Sequence, residues 1–176
     1  MRWVITHRMM RVPRVLILYA SITGNTQQIA LMLAKFLDSY GVKTELVTPE
    51  IFTFGDLQPY QGLLIGTYTY GNDANIPDEM LDVYEWLQDQ NLKGLPFGVF
   101  GSGDLYYGSN KFCKASLSFQ NLLIKCGGES VYHPVKVDKY PDFDDDIQEI
   151  QKLACHLATE MKEWRHGVCR INKSFL

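Results

Sequence analysis

The sequence predicts an α/β fold: a doubly wound, five-stranded parallel sheet in the order 2-1-3-4-5, with helices on both faces. Runs typical of strands alternate with segments of helical spacing, and this alternation is typical of βαβ units. Residues 15–20 are apolar without a break, which indicates a strand covered on both faces. Residues 42–47 alternate apolar or hydroxyl side chains with Lys and Glu, so the second strand is less buried and suits an edge.

The other elements follow in order along the chain. Strands are predicted at residues 60–66, 97–100 and 130–137, and helices at residues 27–40, 79–89, 111–125 and 144–164. Gly41 stands where the C-terminal cap of the first helix belongs. Acidic residues open the last helix, next to the positive end of its dipole. In a sheet of this order a ligand binds beyond the carboxyl ends of the strands, at the switch point between strands 1 and 3.

The length of 176 residues is that of one domain. We expect a folded domain over residues 15–164 and a dispensable N-terminal extension over residues 1–14. Residues 165–176 form a C-terminal tail whose lack of a helical pattern is compatible with disorder. The first residues lack the apolar segment of a secretion signal, and no run of about 20 apolar residues predicts a membrane span.

Charge is distributed unevenly along a chain whose net charge is −3. Residues 15–164 carry 10 Lys and Arg against 20 Asp and Glu, a balance of −10, while the flanks hold 7 basic residues and no acidic one. An acidic body repels phosphates, which argues against nucleic acid as a partner. The same charge attracts a basic protein and speeds its encounter.

The 4 cysteines are scattered and form no CxxC pair. This spacing argues against a zinc site, a dithiol redox pair and a cysteine-ligated iron–sulfur centre. Free thiols suit a reducing compartment, so we expect a cytoplasmic protein without a metal.

Three loops, after strands 1, 3 and 4, carry the candidate site. The first directly precedes a helix and consists of Ser21, Ile22, Thr23, Gly24, Asn25 and Thr26. A helix N-terminus offers unpaired N–H groups and a positive dipole to an anion, and hydroxyls add donors, so this loop can hold a phosphate. A helix-capping cluster is the alternative. Gly24 is not followed by Lys, which excludes a Walker A loop, and no GxGxxG follows the first strand.

The other two loops are rich in tyrosine. The loop after strand 3 contains Tyr68, Thr69, Tyr70, Gly71 and Asn72. The loop after strand 4 contains Ser102, Gly103, Asp104 and Tyr107, followed by Phe112 and Cys113. Aromatic side chains stack on other rings, which is worth roughly 0.5–1.5 kcal/mol each beyond burial. We therefore expect a planar ring between these two loops.

These motifs resemble those of the flavodoxins, in particular the short-chain bacterial type. SITGNT is similar to the family's loop for the phosphate of FMN, and YTYGNDANIPDEM and GSGDLYYG are similar to its two flavin-side loops. The resemblance covers about residues 15–164 and implies an electron carrier with bound FMN, not an enzyme. It also implies a low potential, with the flavin shuttling mainly between its semiquinone and hydroquinone states.

The resemblance further implies a role for each candidate residue. Residues 21–26 would hold the phosphate, while Tyr70 and Tyr107 would stack on the ring, with Tyr68 as the alternative to Tyr70. The Gly71 peptide would flip to accept a hydrogen bond from the half-reduced flavin, which Gly tolerates at little steric cost. The remaining contacts fall to Thr69 and Tyr68 at the ribityl chain and ring edge, to backbone donors of Ser102, Gly103 and Asp104 at the pyrimidine edge, and to Phe112 and Cys113.

Negative charge near the ring would lower the potential for the second electron. A unit charge about 12 Å away costs roughly 1.4 kcal/mol at an effective dielectric constant of about 20. The candidates are Asp73, Asp78, Glu79 and Asp104. Asn72 departs from the family's pattern, in which an acidic residue is common at that place.

Two other functions on the same fold stay open: an FMN-dependent NAD(P)H reductase and a flavodoxin-like activator of ribonucleotide reductase. The electron-carrier interpretation implies redox partner proteins with basic docking faces, namely a reductase that donates electrons and an enzyme that consumes them. It implies no nucleic acid, no membrane and a monomeric carrier.

Overall fold

The computed structural model describes residues 12–69 and 75–166. Their strands are β1 (Arg14–Tyr19), β2 (Lys43–Val47), β3 (Gly62–Tyr68), β4 (Pro96–Gly103), β5 (Glu129–Ser130) and β6 (Val135–Asp138). All strand pairs are parallel, in the order β2-β1-β3-β4-β5, and β6 also pairs with β4. The predicted doubly wound order is confirmed.

Helices cover both faces of the sheet. The α-helices in the described ranges are α1 (Asn25–Ser39), α2 (Leu81–Gln88), α3 (Lys114–Lys125) and α4 (Asp144–His166). α1 and α4 pack on one face and α2 and α3 on the other. None of these helices has the length and apolarity that a membrane crossing requires.

β1 shows why an unbroken apolar run forms this strand. Val15 and Ile17 are buried against α1 and α4, whereas Leu16 and Leu18 are buried among residues of α2 and α3. Successive side chains of a strand point to opposite faces, so a strand in the middle of a two-sided core needs apolar residues at every position. β2 at the edge is only partly buried, as its alternating pattern predicts.

The predicted fifth strand, residues 130–137, is wrong as one continuous element. β5 pairs with Pro96 and Phe97, and β6 resumes the pairing at Phe100. Between them, residues 131–134 leave the ladder after the N–H of Val131 donates to the carbonyl of Phe97 at 3.0 Å. Pro134 has no N–H with which to continue the ladder. Both pieces still lie beside β4 at the predicted edge.

The predicted limits of the folded domain differ slightly from the observed elements. Arg14 is the first residue of β1, and its guanidinium lies 2.7 Å from the carboxylate of Glu45 in β2. At the other end α4 runs through His166, so Arg165 and His166 are helical rather than part of the tail.

β3 packs closely against its neighbours at Gly66. A methyl group on Gly66 would overlap the ring of Phe100 and come within 2.7 Å of the β-carbon of Tyr19. Phe100 is fully buried, so its ring has no free space into which it can move. Gly66 thus allows β3 to pack closely against Tyr19 of β1 and Phe100 of β4.

We expect Gly66→Ala to lower the free energy of unfolding by about 1–3 kcal/mol, because the added methyl group overpacks the core. Urea denaturation followed by circular dichroism measures the change. Gly55→Ala is the matched control, since its nearest neighbour, a side-chain oxygen of Thr53, lies at an ordinary 3.8 Å. Equal stability of the two variants would contradict this account of Gly66.

Candidate functional site

A cleft of about 390 Å³ opens at the carboxyl ends of β1, β3 and β4, where the sheet order predicts a ligand site. It is lined by residues of all three candidate loops: Ser21, Ile22, Thr23, Asn25, Thr26, Tyr68, Thr69, Ser102, Gly103, Asp104, Phe112 and Cys113. The residues of these three loops, which are separated by up to 92 positions in the chain, thus share one cavity.

The first loop leads into an open helix N-terminus. Gly24 caps α1 in the left-handed conformation, with φ of 85°, and no side chain caps the helix there. The first turn contains no acidic residue, so the positive end of the helix dipole is not offset locally. Ser21 Oγ accepts a hydrogen bond from the N–H of Gln27 at 3.1 Å, which leaves its own O–H to donate. Capping of the helix by Ser21 is therefore compatible with anion binding at the same loop.

A buried pair of hydroxyls joins the first loop to β4. The oxygens of Thr26 and Ser102 lie 2.7 Å apart, and both side chains are almost fully buried. One hydroxyl donates to the other, so the pair retains one O–H donor at the wall of the cleft. Ser102 thereby contributes a side-chain contact, in addition to the backbone donor that the resemblance assigns to it.

Thr69 ties the second loop to the third. Its N–H donates to the carbonyl of Ser102 at 3.3 Å, and its Oγ1 accepts from the N–H of Ala115 at 3.3 Å. Ala115 lies in the first turn of α3, whose N-cap residue, Cys113, makes no side-chain cap. A threonine from another loop therefore satisfies one of the unpaired N–H groups that begin every helix.

Tyr68 ends β3 as a partly buried wall of the cleft. Its hydroxyl donates to the carboxylate of Glu79 at 2.8 Å, and Glu79 lies in the 3₁₀ turn Asp78–Met80 that precedes α2. This hydrogen bond orients the phenol ring. It also partly offsets the charge of the Glu79 carboxylate, which is one of the acidic groups predicted to lower the flavin potential.

The third loop is held by backbone and carboxylate bonds. Asp104 accepts from the N–H of Tyr106 at 2.9 Å, and its other oxygen lies 3.7 Å from Lys139 Nζ. Asp138 accepts from the N–H of Leu105 at 3.0 Å. These bonds fasten the loop to the end of β6, so the fifth strand of the predicted sheet also supports the site.

Cys113 closes the loop as a buried thiol. Burial raises the pKa of Cys113 from 9.0 to about 12, and its sulfur lies 3.6 Å from the carbonyl oxygen of Gly101. A neutral, buried thiol is a poor nucleophile. Cys113 therefore packs the wall of the cleft and is not a reactive group.

Five of the predicted site residues are not observed in the lining. Tyr70, Gly71 and Asn72 lie outside the described residues, and Gly24 caps α1 without lining the cleft. The backbone of Tyr107 belongs to the 3₁₀ turn Leu105–Tyr107. The roles that the resemblance implies for these residues stay predictions.

Sequence reasoning missed Lys111 and Lys139, which also line the cleft. Lys111 directly precedes Phe112 in a loop that the sequence analysis had already selected. Lys139 directly follows β6, and extending the search to the loop after the fifth strand would have found it, because parallel strands end at the same edge.

Comparison with known proteins identifies the family. A profile of the Flavodoxin family matches residues 17–152. The chain is 34% identical over 141 residues to Probable flavodoxin 1 of Bacillus subtilis (strain 168), covering 80% of this chain and 87% of that one. The chain belongs to the flavodoxin family. It resembles the solved flavodoxin of Streptococcus pneumoniae TIGR4 with a TM-score of 0.78 and 37% identity, over 84% of this chain and 99% of that one.

The flavodoxin fold also occurs inside larger proteins. The chain is 31% identical over 125 residues to the sulfite reductase (NADPH) flavoprotein alpha-component of Buchnera aphidicola subsp. Schizaphis graminum, covering 69% of this chain and 20% of that one. Flavodoxins bind FMN and carry electrons between redox partners, and they are carriers rather than enzymes. The protein is thus an electron carrier that uses FMN.

The cleft fits the chemistry of FMN. Its volume lies in the range of roughly 300–1,000 Å³ that is usual for small-molecule sites. The open N-terminus of α1 and its neighbouring hydroxyls suit a phosphate, and Tyr68 and Phe112 supply apolar walls for a ring. Bound FMN supplies a ring system that accepts and releases single electrons; the chain supplies the anion site, the walls and the field.

The buried hydroxyl pair predicts coupled mutational effects. Thr26→Val or Ser102→Ala should each cost about 1–3 kcal/mol of stability, because either change leaves a buried hydroxyl without a partner. The double variant should cost less than the two single effects together. Urea unfolding of the flavin-free proteins measures all three. Ser116→Ala is the control, since its buried hydroxyl has no partner among the described residues; strictly additive effects would show that the pair is not coupled.

The two thiols Cys113 and Cys155 should differ in reactivity. Cys155 is exposed and Cys113 is buried, so iodoacetamide at pH 8 should alkylate Cys155 at least tenfold faster. Peptide mapping by mass spectrometry assigns the modified residue. In urea both should react at similar rates, and fast labelling of Cys113 in the native protein would contradict its burial.

Proposed function

We propose that this flavodoxin is a low-potential, one-electron carrier whose FMN lies in the cleft at the carboxyl ends of β1, β3 and β4. One observation carries the proposal: the N-terminus of α1, where Gly24 provides no side-chain cap, opens into the same cavity as the loops that follow β3 and β4. An anion site beside two ring-facing loops suits a molecule with a phosphate at one end and a flat ring at the other.

The first loop is proposed as the phosphate site. Backbone N–H groups of residues 22–26 and the hydroxyls of Ser21, Thr23 and Thr26 act as its donors. No basic side chain belongs to this loop, so the phosphate would keep most of its negative charge and add to the field that opposes reduction of the ring.

The loops after β3 and β4 are proposed as the walls of the ring site. Tyr70 and Tyr107 stack on the two faces of the flavin, and the Gly71 peptide responds to its oxidation state. Thr69 and Tyr68 meet the ribityl chain and the ring edge, and Ser102, Gly103 and Asp104 meet the pyrimidine edge. The hydrogen bonds of Thr69 to Ser102 and Ala115 support this assignment, because they hold the two walls in a common frame.

The low potential is proposed on electrostatic grounds. Residues 15–164 carry a balance of −10, and an acidic environment disfavours further negative charge on a bound group. Each unit charge about 12 Å away contributes roughly 1.4 kcal/mol at an effective dielectric constant of about 20, before screening by salt. The described candidates are Asp104 in the lining of the cleft and Asp78 and Glu79 in the turn that leads into α2.

The same field supports proposals about partners and location. A body of this charge favours redox partners with basic docking faces, one donating and one accepting electrons. We infer a monomeric carrier in which the N-terminal extension before β1 is dispensable. The free thiols of Cys113, Cys126 and Cys155 suit the cytoplasm, because that compartment is reducing.

The stacking assignment predicts the affinity for FMN. Tyr70→Ala and Tyr107→Ala should each weaken FMN binding by roughly 1–3 kcal/mol, because each removes a ring contact. Quenching of flavin fluorescence on titration into the flavin-free protein measures the dissociation constant. Tyr40→Ala is the control: Tyr40 follows the C-terminus of α1, at the other end of the helix from the cleft.

Three results would contradict these proposals. A colourless protein that takes up no added FMN would overturn the cofactor site, and unchanged affinity of Tyr70→Ala would transfer its role to Tyr68. Mixing the FMN form with NADPH alone separates a carrier from a reductase. A carrier keeps its flavin colour until a partner reductase is added, whereas rapid bleaching would indicate direct oxidation of NADPH.

A further inference from the structure

The charged side chains that line the cleft have the opposite balance to the body of the protein. In the described lining, only Lys111, Lys139 and Asp104 are charged. Their sum is positive, although residues 15–164 as a whole are strongly acidic. Charges that line a cavity act at shorter range and with less screening than charges on the outer surface. The sign of the charge that lines the cleft therefore differs from the sign of the protein's total charge.

Lys111 is fixed in position by its backbone. Its N–H donates to the carbonyl of Gly108 at 3.1 Å, and its carbonyl accepts from the N–H of Lys114 at 3.3 Å. The residue is partly buried, and within the described parts of the chain its ammonium group has no carboxylate within 4.0 Å. Its positive charge is therefore not neutralised by any described neighbour.

Lys139 reduces the effect of the only carboxylate in the described lining. Its backbone N–H donates to the carbonyl of Gly103 at 2.7 Å, which holds it beside the loop after β4. Its ammonium group lies 3.7 Å from Asp104, and its side chain is 63% exposed. The pair is nearly neutral at a distance, so Asp104 contributes less negative field than its sequence position suggests. Lys111 then remains as the lining charge without a carboxylate partner among the described residues.

We propose that Lys111, with Lys139 neutralising Asp104, sets the reduction potential of the bound flavin by opposing the acidic field of the body. The inference rests on the proposed function, since it requires FMN in this cleft. Each electron that a flavin accepts adds a negative charge unless a proton accompanies it. A cation in the wall of the cleft favours the more negative form, so it raises the potential for the second electron.

The position of the two lysines separates this role from phosphate binding. Both lie at the β4 and β6 side of the cleft, on segments adjoining the proposed ring site, whereas the proposed phosphate donors lie on the loop before α1. A phosphate ligand would change the affinity for FMN in both oxidation states. A residue that tunes the potential changes the ratio of the two affinities.

The experiment compares Lys111→Gln, Lys111→Arg and Lys139→Gln with the native protein, all loaded with FMN. Redox titration gives the potentials of the two one-electron steps, and fluorescence quenching gives the affinities for oxidised FMN and riboflavin. Lys125→Gln is the matched control, because it changes the total charge equally at the last turn of α3, about 17 Å along the helix from its start.

Lys111→Gln should weaken the binding of fully reduced flavin about tenfold more than that of the one-electron form. This ratio corresponds to a second potential lower by about 59 mV. Lys111→Arg should keep the native potential. Lys139→Gln should change the ratio only about threefold, because its charge is exposed and screened. Lys125→Gln should change it less than twofold.

Four outcomes would overturn the inference. If Lys111→Gln and Lys125→Gln shift the potential equally, only the total charge matters. If Lys111→Gln weakens FMN but not riboflavin and leaves the potential unchanged, Lys111 is a phosphate ligand. If the native protein takes up no FMN, the proposed function fails and this inference with it. An unchanged potential with normal FMN uptake rejects the role of Lys111 alone.

Discussion

Burial of the central strands on both faces is the constraint on which the rest of the structure depends. Val15, Leu16, Ile17 and Leu18 are fully buried, and complete burial of such side chains contributes roughly 1.5–3 kcal/mol each. Helices on both sides of the sheet bury them all. Helical crossovers on both sides make the neighbouring strands parallel, and parallel strands end at the same edge. The functional loops therefore meet there because of how the core is covered.

A chain of hydrogen bonds then joins those loops into one frame. Ser102 is at its centre: its side chain bonds to Thr26 in the first turn of α1, and its carbonyl accepts from Thr69 after the end of β3. Thr69 extends the chain to Ala115 at the start of α3. Each hydrogen bond contributes modestly to the free energy of unfolding. Leaving a buried hydroxyl without a partner lowers that free energy by more than the bond itself contributes. The three loops consequently hold one relative arrangement, which a cofactor that contacts all of them requires.

The electrostatics operate at two ranges. The acidic body acts over a distance comparable to the Debye length of about 8–10 Å in physiological salt, which suits the attraction of a basic partner. The lining of the cleft acts at contact range, where Lys111 and Lys139 reverse the sign. A carrier that recognises partners through negative charge can thus keep a different charge at its redox centre. The attraction of a basic partner and the charge around the redox centre are set by separate residues and can vary independently.

The sequence by itself determined the α/β class, the strand order and the chemistry of the loops, because these depend on local patterns. The apolar run of β1, the alternation of β2 and the hydroxyls of residues 21–26 are all visible in the letters. The break in the fifth strand was missed. The missing N–H of Pro134 interrupts pairing only where a partner strand lies beside it, and the sequence alone does not show where that is. Only the tertiary structure decided that Thr69 caps α3, that Ser102 meets Thr26, and that two lysines line an otherwise acidic protein's cleft. Those contacts join residues far apart in sequence, and their existence depends on distances in space that no local pattern contains.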